Sequence, residues 1–249
     1  MIYCNGCSYT YGIGTSPHDE KELCLKNAWP QKLSELLDTT VVNEAIPGSS
    51  NIRIFRDTVR FLHYNKPDLV IVMWSDAPRT EFFRPGEGEL QSIGMAQVTP
   101  QNVNSIKSFY HREAYESYYS FIHSEEKAIM ESLSYMVAIK QICEARNIPY
   151  ISYNFKSNLW RSLERIPRHL APNKKDIPVA TLLADLNMLV GALKSPTIFG
   201  VTDDISFASI CEKEHLAFSE YSLGHPGIEA HKRMAEIITE VMEKNGIFS

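Results

Sequence analysis

The feature that most constrains the fold is a run of six apolar residues, Leu-Val-Ile-Val-Met-Trp, at positions 69–74. Polar or turn-forming residues bound the run, with Pro67 and Asp68 before it and Ser75 and Asp76 after it. A strand that is apolar at every position is typical of a parallel sheet that helices cover on both faces. The run therefore predicts a central strand of an α/β domain.

The rest of the chain alternates between short strand-like and longer helix-like segments. Strands are predicted at residues 2–4, 40–45, 69–74 and 150–153, with residues 198–201 either a fifth strand or a turn in an insertion. Helices with apolar residues at helical spacing are predicted at residues 27–37, 52–64, 124–146, 179–193 and 229–244. This alternation indicates a parallel sheet with helices on both faces, and we predict one α/β domain over residues 1–249.

Two segments fit the alternation poorly, and we predict that they are insertions. Residues 85–123 are irregular and rich in aromatic residues. A segment of this length without regular structure is uncommon unless it forms a lid or a binding loop, although an extra helix with an aromatic core face is an equal alternative. Residues 155–197 are largely helical in pattern and carry no obvious catalytic group.

Composition excludes several classes of function. The net charge of -5 argues against a broad nucleic-acid surface, and the densest basic stretch, residues 161–175, is short enough to be a solvated helix face. No apolar run approaches the ~20 residues of a membrane helix, and Met1 leads into a strand rather than a signal peptide. The five cysteines lack metal-ligand spacing, and we interpret Cys4 and Cys7 as small buried residues. We therefore expect a reduced, cytoplasmic protein that binds neither nucleic acid nor membrane.

Candidate functional residues stand where the predicted strands end. They are Ser8 after the first strand, Gly48 and Asn51 after the second, Ser75 and Asp76 after the central strand, and His225 in a late loop. Open α/β sheets bind ligands beyond the carboxyl ends of their strands. A serine at one strand end and a histidine in a late loop predict a serine hydrolase whose two parts meet only in the fold.

The order of these blocks resembles that of the SGNH (GDSL-type) hydrolases. Gly-Cys-Ser-Tyr-Thr at residues 6–10 stands where the family has Gly-Asp-Ser, residues 43–51 match the second block, and Gly-His-Pro-Gly at 224–227 matches the histidine block. The resemblance implies a flavodoxin-like, three-layer α/β/α sandwich with a five-stranded parallel sheet. It also implies that Ser8 is the nucleophile, that the Gly48 amide lines the oxyanion hole and that His225 is the general base.

The third block departs from the family pattern of Gly-x-Asn-Asp, because the central strand runs into Ser75 and Asp76 with no asparagine. Asp76 lies nearest the asparagine position, but an ionised carboxylate cannot donate a hydrogen bond to an oxyanion. Ser75 is the remaining side-chain donor. Loss of one donor from an oxyanion hole typically lowers turnover by about 10²–10³.

The last block also lacks the acid that usually stands three residues before the histidine, where this chain has Ser222. Asp203, Asp204, Glu220 or a backbone carbonyl is the alternative group that orients His225. The resemblance is closest to divergent, often phage-encoded members, for which the location is the host cytoplasm.

Other residues near the strand ends have two interpretations. We expect Tyr9, Asn51 and Arg79 to contact the substrate, with Arg79 either meeting an anionic substrate or forming an ion pair with Glu81. Taken singly, Ser8 also fits a helix cap, Gly48 a turn glycine and His225 a helix start. His231 fits a packing or surface histidine.

The function expected is hydrolysis of a small O-acyl ester, an acetyl ester above all, on a small molecule or a glycan. The resemblance implies no metal and no cofactor. A binding protein on a weakened hydrolase scaffold and an acyltransferase that uses the same serine are the alternatives.

Overall fold

The computed structural model describes residues 1–83, 90–93, 117, 124–156, 159, 161–163, 177–221 and 224–247. Its centre is strand β3, Leu69–Trp74, in which all six residues are buried. The other strands of this sheet are β1 (Ile2–Asn5), β2 (Val41–Asn43) and β6 (Tyr150–Asn154). The order is β2-β1-β3-β6 and every pair is parallel, which confirms the predicted α/β architecture.

Helices connect the strands and cover both faces of the sheet. They are α1 (Ser8–Tyr11), α2 (Lys21–Asn27), α3 (Trp29–Leu37), α4 (Asn51–Tyr64), α5 (Glu125–Ala145), α6 (Ile177–Ala192), α7 (Phe207–Lys213) and α8 (Ile228–Lys244). The five predicted helices correspond to α3, α4, α5, α6 and α8. The region between β1 and α3, for which no helix is predicted, contains α1, α2 and a 3-10 turn at Pro17–Asp19.

Side chains alternate between two apolar layers, because successive residues of a strand point to opposite faces of the sheet. Ile2, Cys4, Ile71 and Met73 face the layer that holds α3, α7 and α8. Tyr3, Val70, Val72 and Trp74 face the layer that holds α4, α5 and α6. The central run is apolar throughout because both faces of the sheet are buried.

A fifth strand does not form fully at residues 198–201. Among the described residues this edge makes only isolated parallel bridges, from Ser152 to Ile198 and from Asn154 to Ser206. Gly200, with φ +79°, interrupts the segment, and Asp203 accepts hydrogen bonds from the amides of Gly200 and Ile205. The sheet described therefore has four strands, with an irregular segment where the fifth was predicted.

One short strand is described within the predicted lid, and it pairs with a strand that precedes the lid. Strands β4 (Thr80–Phe83) and β5 (Leu90–Ile93) pair antiparallel immediately after Arg79. Most of residues 85–123, and residues 164–176 of the predicted helical insertion, lie outside the described residues. The carboxylate of Glu81 accepts from Arg56 of α4 at 2.6 and 3.2 Å, which fixes the start of the hairpin to the body of the domain.

All five cysteines are buried free thiols, as predicted for Cys4 and Cys7. Within the part of the chain that the structure describes, no three His, Cys, Asp or Glu side chains come together as a metal site would require. None of the described helices combines the length and apolar character of a membrane-spanning segment.

Candidate active site

Ser8 lies at the carboxyl edge of the sheet, in the first residue of α1 and three residues beyond the end of β1. Helix geometry leaves the first amides of a helix without an intrahelical acceptor, and the Ser8 amide is one of these. Gly6 allows the chain to pass close to β3, because a Cβ there would lie 2.8 Å from the Met73 carbonyl oxygen and 2.2 Å from Thr10 Oγ1. The glycine is therefore needed for close approach rather than for an unusual φ angle.

His225 stands beside Ser8 although 217 residues separate them. Its Nε2 atom lies 2.9 Å from Ser8 Oγ. The imidazole accepts from the serine hydroxyl when its other nitrogen, Nδ1, carries the proton. The structure thus joins the two side chains in the geometry that a hydroxyl nucleophile and its base require.

The loop that carries His225 is held from two sides. The amide of Ser219 donates to the carbonyl of His225 at 2.7 Å, and the amide of Gly227 donates to the carbonyl of Ala217 at 3.2 Å. On the other side, a Cβ on Gly14 would lie 2.9 Å from the Cβ of His225. The loop is therefore packed against the segment that follows α1.

Tyr9 connects the serine to this loop. Its hydroxyl donates to the carbonyl of Gly224 at 2.5 Å, and its ring centroid lies 5.4 Å from that of His225. Phe155 and Phe207 contact the same ring edge-on. Tyr9 is only 2% exposed, and burial is the main reason that its pKa is raised above its ordinary value. We predicted a substrate contact, but this placement favours a role in holding the histidine loop.

Asn51 joins the second and third blocks. Its Oδ1 atom accepts from the amide of Ser75 at 2.7 Å, while Nδ2 donates to the carbonyl of Ser75 at 3.1 Å and to Ser132 Oγ at 3.0 Å. The residue is 2% exposed. Its side-chain amide is thus engaged by the end of β3 and by α5, and we interpret Asn51 as a residue that positions Ser75.

The hydroxyl of Ser75 is buried and has no hydrogen-bond partner among the described residues. Ser75 follows Val72 by three residues as Ser8 follows Asn5, and Val72 and Asn5 are paired in adjacent parallel strands. The two serines therefore follow neighbouring strand ends at the same edge of the sheet. The adjacent Asp76 is partly exposed, and its charge contributes to the raised pKa of Tyr9.

Gly48 lies in the turn between β2 and α4, with φ +80°. No atom lies within 4 Å of the position where a Cβ would stand, so the space on that side of the turn is open. Glycine is favoured here by the left-handed backbone rather than by lack of room. The next helix, α4, begins with Ser50 as its cap, whose side chain accepts from the amide of Arg53.

Two of the three carboxylates considered as partners of His225 make other contacts. Asp203 accepts from two backbone amides of its own loop. Glu220 is exposed and interacts with the hydroxyl of Tyr221. Asp204 Oδ1 is buried and has no hydrogen-bond partner among the described residues, and Ser222 lies outside those residues.

His231 is a fully buried histidine on α8. Its Nδ1 atom accepts from the amide of Trp29 at 3.1 Å, which connects α8 to the start of α3. Burial, with a smaller contribution from His225, lowers its pKa from 6.5 to about 3. His231 is therefore a neutral packing residue, in agreement with the structural interpretation of the sequence.

Arg79 follows Asp76 in a turn, and its guanidinium lies over the ring of Phe155, with Cζ 5.2 Å from the ring centroid. Glu81, the alternative ion-pair partner expected for Arg79, pairs with Arg56, and an Arg79–Glu81 ion pair stays a prediction. Arg79 thus lies beyond the end of the central strand, close to the aromatic contacts of Tyr9.

Sequence reasoning missed two asparagine side chains at this edge, of which Asn5 is buried and Asn43 is half-buried. Asn5 donates to the carbonyl of Ile54 and to Thr58 Oγ1, and accepts from the amide of Gly6 at 2.7 Å. Asn43 donates to the carbonyl of Thr10 at 3.0 Å. The position of Asn5 at the end of an apolar strand could have indicated such a role, since a buried side-chain amide requires hydrogen-bond partners.

Comparison with known proteins places the chain in a family. A family model described as a family of unknown function (DUF6071) matches residues 15–185, more than half of the chain. The chain belongs to this family. The match to DUF6071 includes Gly48, Asn51 and Ser75 and leaves Ser8 and His225 outside. No curated protein matches the sequence.

Solved structures resemble this DUF6071 protein over nearly its whole length. One is a putative lipolytic protein of the G-D-S-L family from Desulfitobacterium hafniense DCB-2, at 12% identity and TM-score 0.50, with 96% of this chain and 98% of that chain covered. Another is TesA, at 11% identity and TM-score 0.50, with 98% of each chain covered. The esterase EstA from Pseudoalteromonas sp. is 11% identical with TM-score 0.48, covering 98% of this chain and 96% of that chain. The DUF6071 protein has the fold of the SGNH hydrolases, and the predicted resemblance is confirmed at the level of the fold.

Proposed function

We propose that this protein is a serine hydrolase that cleaves a small O-acyl ester, with Ser8 as nucleophile and His225 as general base. The observation that carries the proposal is the 2.9 Å separation between Ser8 Oγ and His225 Nε2. It is supported by the hydrolase fold and by the position of Ser8 at the carboxyl edge of the sheet, where such folds bind ligands.

In the proposed reaction, Ser8 Oγ attacks the carbonyl carbon of the ester while His225 Nε2 takes the hydroxyl proton. The tetrahedral intermediate then collapses, and the protonated imidazole gives its proton to the leaving alcohol. Water attacks the acyl-serine with His225 again as base. The second intermediate releases the carboxylic acid and returns the proton to Ser8 Oγ.

The negative oxygen of each intermediate requires donors that are fixed before the reaction begins. We propose the amides of Ser8 and Gly48 and the hydroxyl of Ser75 for this role. The Ser8 amide stands at a helix start, the Gly48 turn faces open space, and the Ser75 hydroxyl is buried without a partner among the described residues. Asn51, which bonds both the amide and the carbonyl of Ser75, is the positioning residue of this group.

The direct test is hydrolysis of 4-nitrophenyl acetate by the wild type, Ser8→Ala and His225→Ala. We expect kcat to fall by about 10⁴–10⁶ in either variant, because the pair acts as a unit. Ser134→Ala is the matched control, because Ser134 is an exposed serine of α5. Equal rates in all four proteins would exclude the mechanism.

A binding protein on a hydrolase scaffold is the second candidate, favoured by the lack of an asparagine after the central strand and of an acid at position 222. A fluorophosphonate probe separates the two, since a functional Ser8 gives a covalent adduct detectable by mass spectrometry. If the serine reacts and an added alcohol accepts the acyl group faster than water does, the protein is an acyltransferase with the same nucleophile.

A further inference from the structure

Two buried nitrogen atoms of the Arg79 guanidinium group lack hydrogen bonds within the part of the chain that the structure describes. Its Nε and Nη1 atoms are buried, and neither has a hydrogen-bond partner among the described residues. Buried donors without partners are uncommon in native proteins because the desolvated group loses its bonds to water. A ligand that brings an acceptor would satisfy them.

The surrounding structure holds this charge in one place. The amide of Arg79 donates to the carbonyl of Asp76 at 3.1 Å, which closes a turn directly after β3. The turn places Cζ 5.2 Å from the centroid of Phe155, the first residue beyond β6. Lys156 Nζ lies 5.3 Å from the centroid of the same ring. Two cations therefore stand near one aromatic side chain at the carboxyl edge of the sheet.

This cationic group adjoins the proposed catalytic pair through aromatic contacts. The ring of Phe155 meets the ring of Tyr9 edge-on at 4.7 Å, and Tyr9 in turn lies against His225. The charge of Arg79 acts to lower the pKa of Tyr9 and that of Asp76 acts to raise it, so both charged groups lie near the tyrosine.

We propose that Arg79 recognises an anionic substrate, so that the preferred ester carries a compact negative group such as a carboxylate near the scissile bond. The inference rests on the proposed hydrolase function and adds the class of substrate to it. Arginine suits this task because its planar donors form charge-assisted hydrogen bonds with carboxylates while its face stacks on an aromatic ring. The carboxylate of Asp76 limits the excess of positive charge, which favours a substrate with one small anion over a polyanion.

The test compares two esters with the same leaving group, 4-nitrophenyl acetate and the mono-4-nitrophenyl ester of succinic acid. The measured quantity is the ratio of kcat/KM for the succinate ester to kcat/KM for the acetate ester. Arg79→Gln should lower this ratio by about 10- to 100-fold, the effect expected for a lost charge-assisted hydrogen bond. The ratio for Arg79→Lys should lie between those of the wild type and Arg79→Gln, since lysine keeps the charge and loses the planar donors. Arg60→Gln is the matched control, because it removes the same charge from an exposed position of α4.

A binding measurement separates failure of this inference from failure of the proposed function. Titration of the Ser8→Ala protein with the succinate ester should give a Kd that rises about 10-fold or more when Arg79→Gln is added. If neither ester is hydrolysed but this Arg79-dependent binding persists, the anion site is supported and the assignment of Ser8 as nucleophile is refuted. An unchanged ratio and an unchanged Kd in the Arg79→Gln proteins would overturn the inference.

Discussion

Replacement of Tyr9 by phenylalanine removes one hydrogen bond between the first block and the histidine loop. The lost bond is the 2.5 Å contact from the Tyr9 hydroxyl to the carbonyl of Gly224, while the ring contacts with His225 and Phe155 remain. A hydrogen bond of this kind contributes a net 0.5–1.5 kcal/mol or so, because water can replace the donor at the exposed Gly224. For a chain of this size, about 1 kcal/mol corresponds to a Tm lower by roughly 2–4 °C.

Tyr9→Phe should lower kcat strongly although it lowers the free energy of unfolding only slightly. Without the bond the loop moves, and a displacement of about 1 Å in a catalytic group costs on the order of 10² in rate. We therefore expect kcat for 4-nitrophenyl acetate to fall by about 10- to 100-fold with KM nearly unchanged, as measured by steady-state kinetics.

Tyr153→Phe is the control for this variant. The Tyr153 hydroxyl is buried and has no hydrogen-bond partner among the described residues, so its removal breaks no described bond. Its kcat and its Tm should match the wild type. If Tyr9→Phe instead raised KM and left kcat unchanged, Tyr9 would be a substrate contact, and the positioning role inferred from the structure would be refuted.

Three further variants test neighbouring parts of the site. Ser75→Ala should lower kcat by about 10²–10³ without loss in thermal stability, because the hydroxyl has no described partner to lose; an unchanged kcat would remove it from the oxyanion hole. Asn51→Ala should destabilise the protein by about 2–4 kcal/mol in urea unfolding, since it leaves the buried amide and carbonyl of Ser75 without their partner; a loss below about 0.5 kcal/mol would contradict this. His231→Asn should flatten the pH dependence of unfolding. The pKa of His231 is about 3 in the folded protein and 6.5 in the unfolded chain, so its contribution to wild-type stability falls by about 1.4 kcal/mol per pH unit as the pH drops from 6.5 to 3. Identical slopes of unfolding free energy against pH in the two proteins would show that His231 takes up a proton in the folded state.

The fold was predictable because its main signals are local. Six consecutive apolar residues at 69–74 and the alternation around them were enough to indicate a parallel sheet with two covered faces. The irregular form of the fifth strand was not predictable. Gly200, and the hydrogen bond that its backbone amide donates to Asp203, bend a segment whose composition is otherwise strand-like. The short helices between residues 8 and 27 were missed, since they lack the apolar periodicity that marks a longer helix.

The sequence could name candidate site residues, but it could not predict which groups each of them contacts. Ser8, Gly48 and His225 are predicted from blocks that resemble a known family, whereas the 2.9 Å distance between Ser8 Oγ and His225 Nε2 follows only from the fold. Tyr9 and Asn51 were expected at the substrate because they stand in those blocks. The structure engages both in hydrogen bonds to backbone groups of distant segments, which no local pattern specifies.

If the proposed mechanism holds, the separation of Ser8 and His225 along the chain also determines when the protein can become reactive. Ribosomes add about 5–20 residues per second, so the 217 residues between them take roughly 10 to 40 s to synthesise. Throughout that interval the nascent polypeptide carries the Ser8 hydroxyl without the proposed base, His225. Under the proposed mechanism, hydrolysis begins only after His225 has reached Ser8 and α8 has packed against α3, and incomplete chains are inert toward the acyl groups around them.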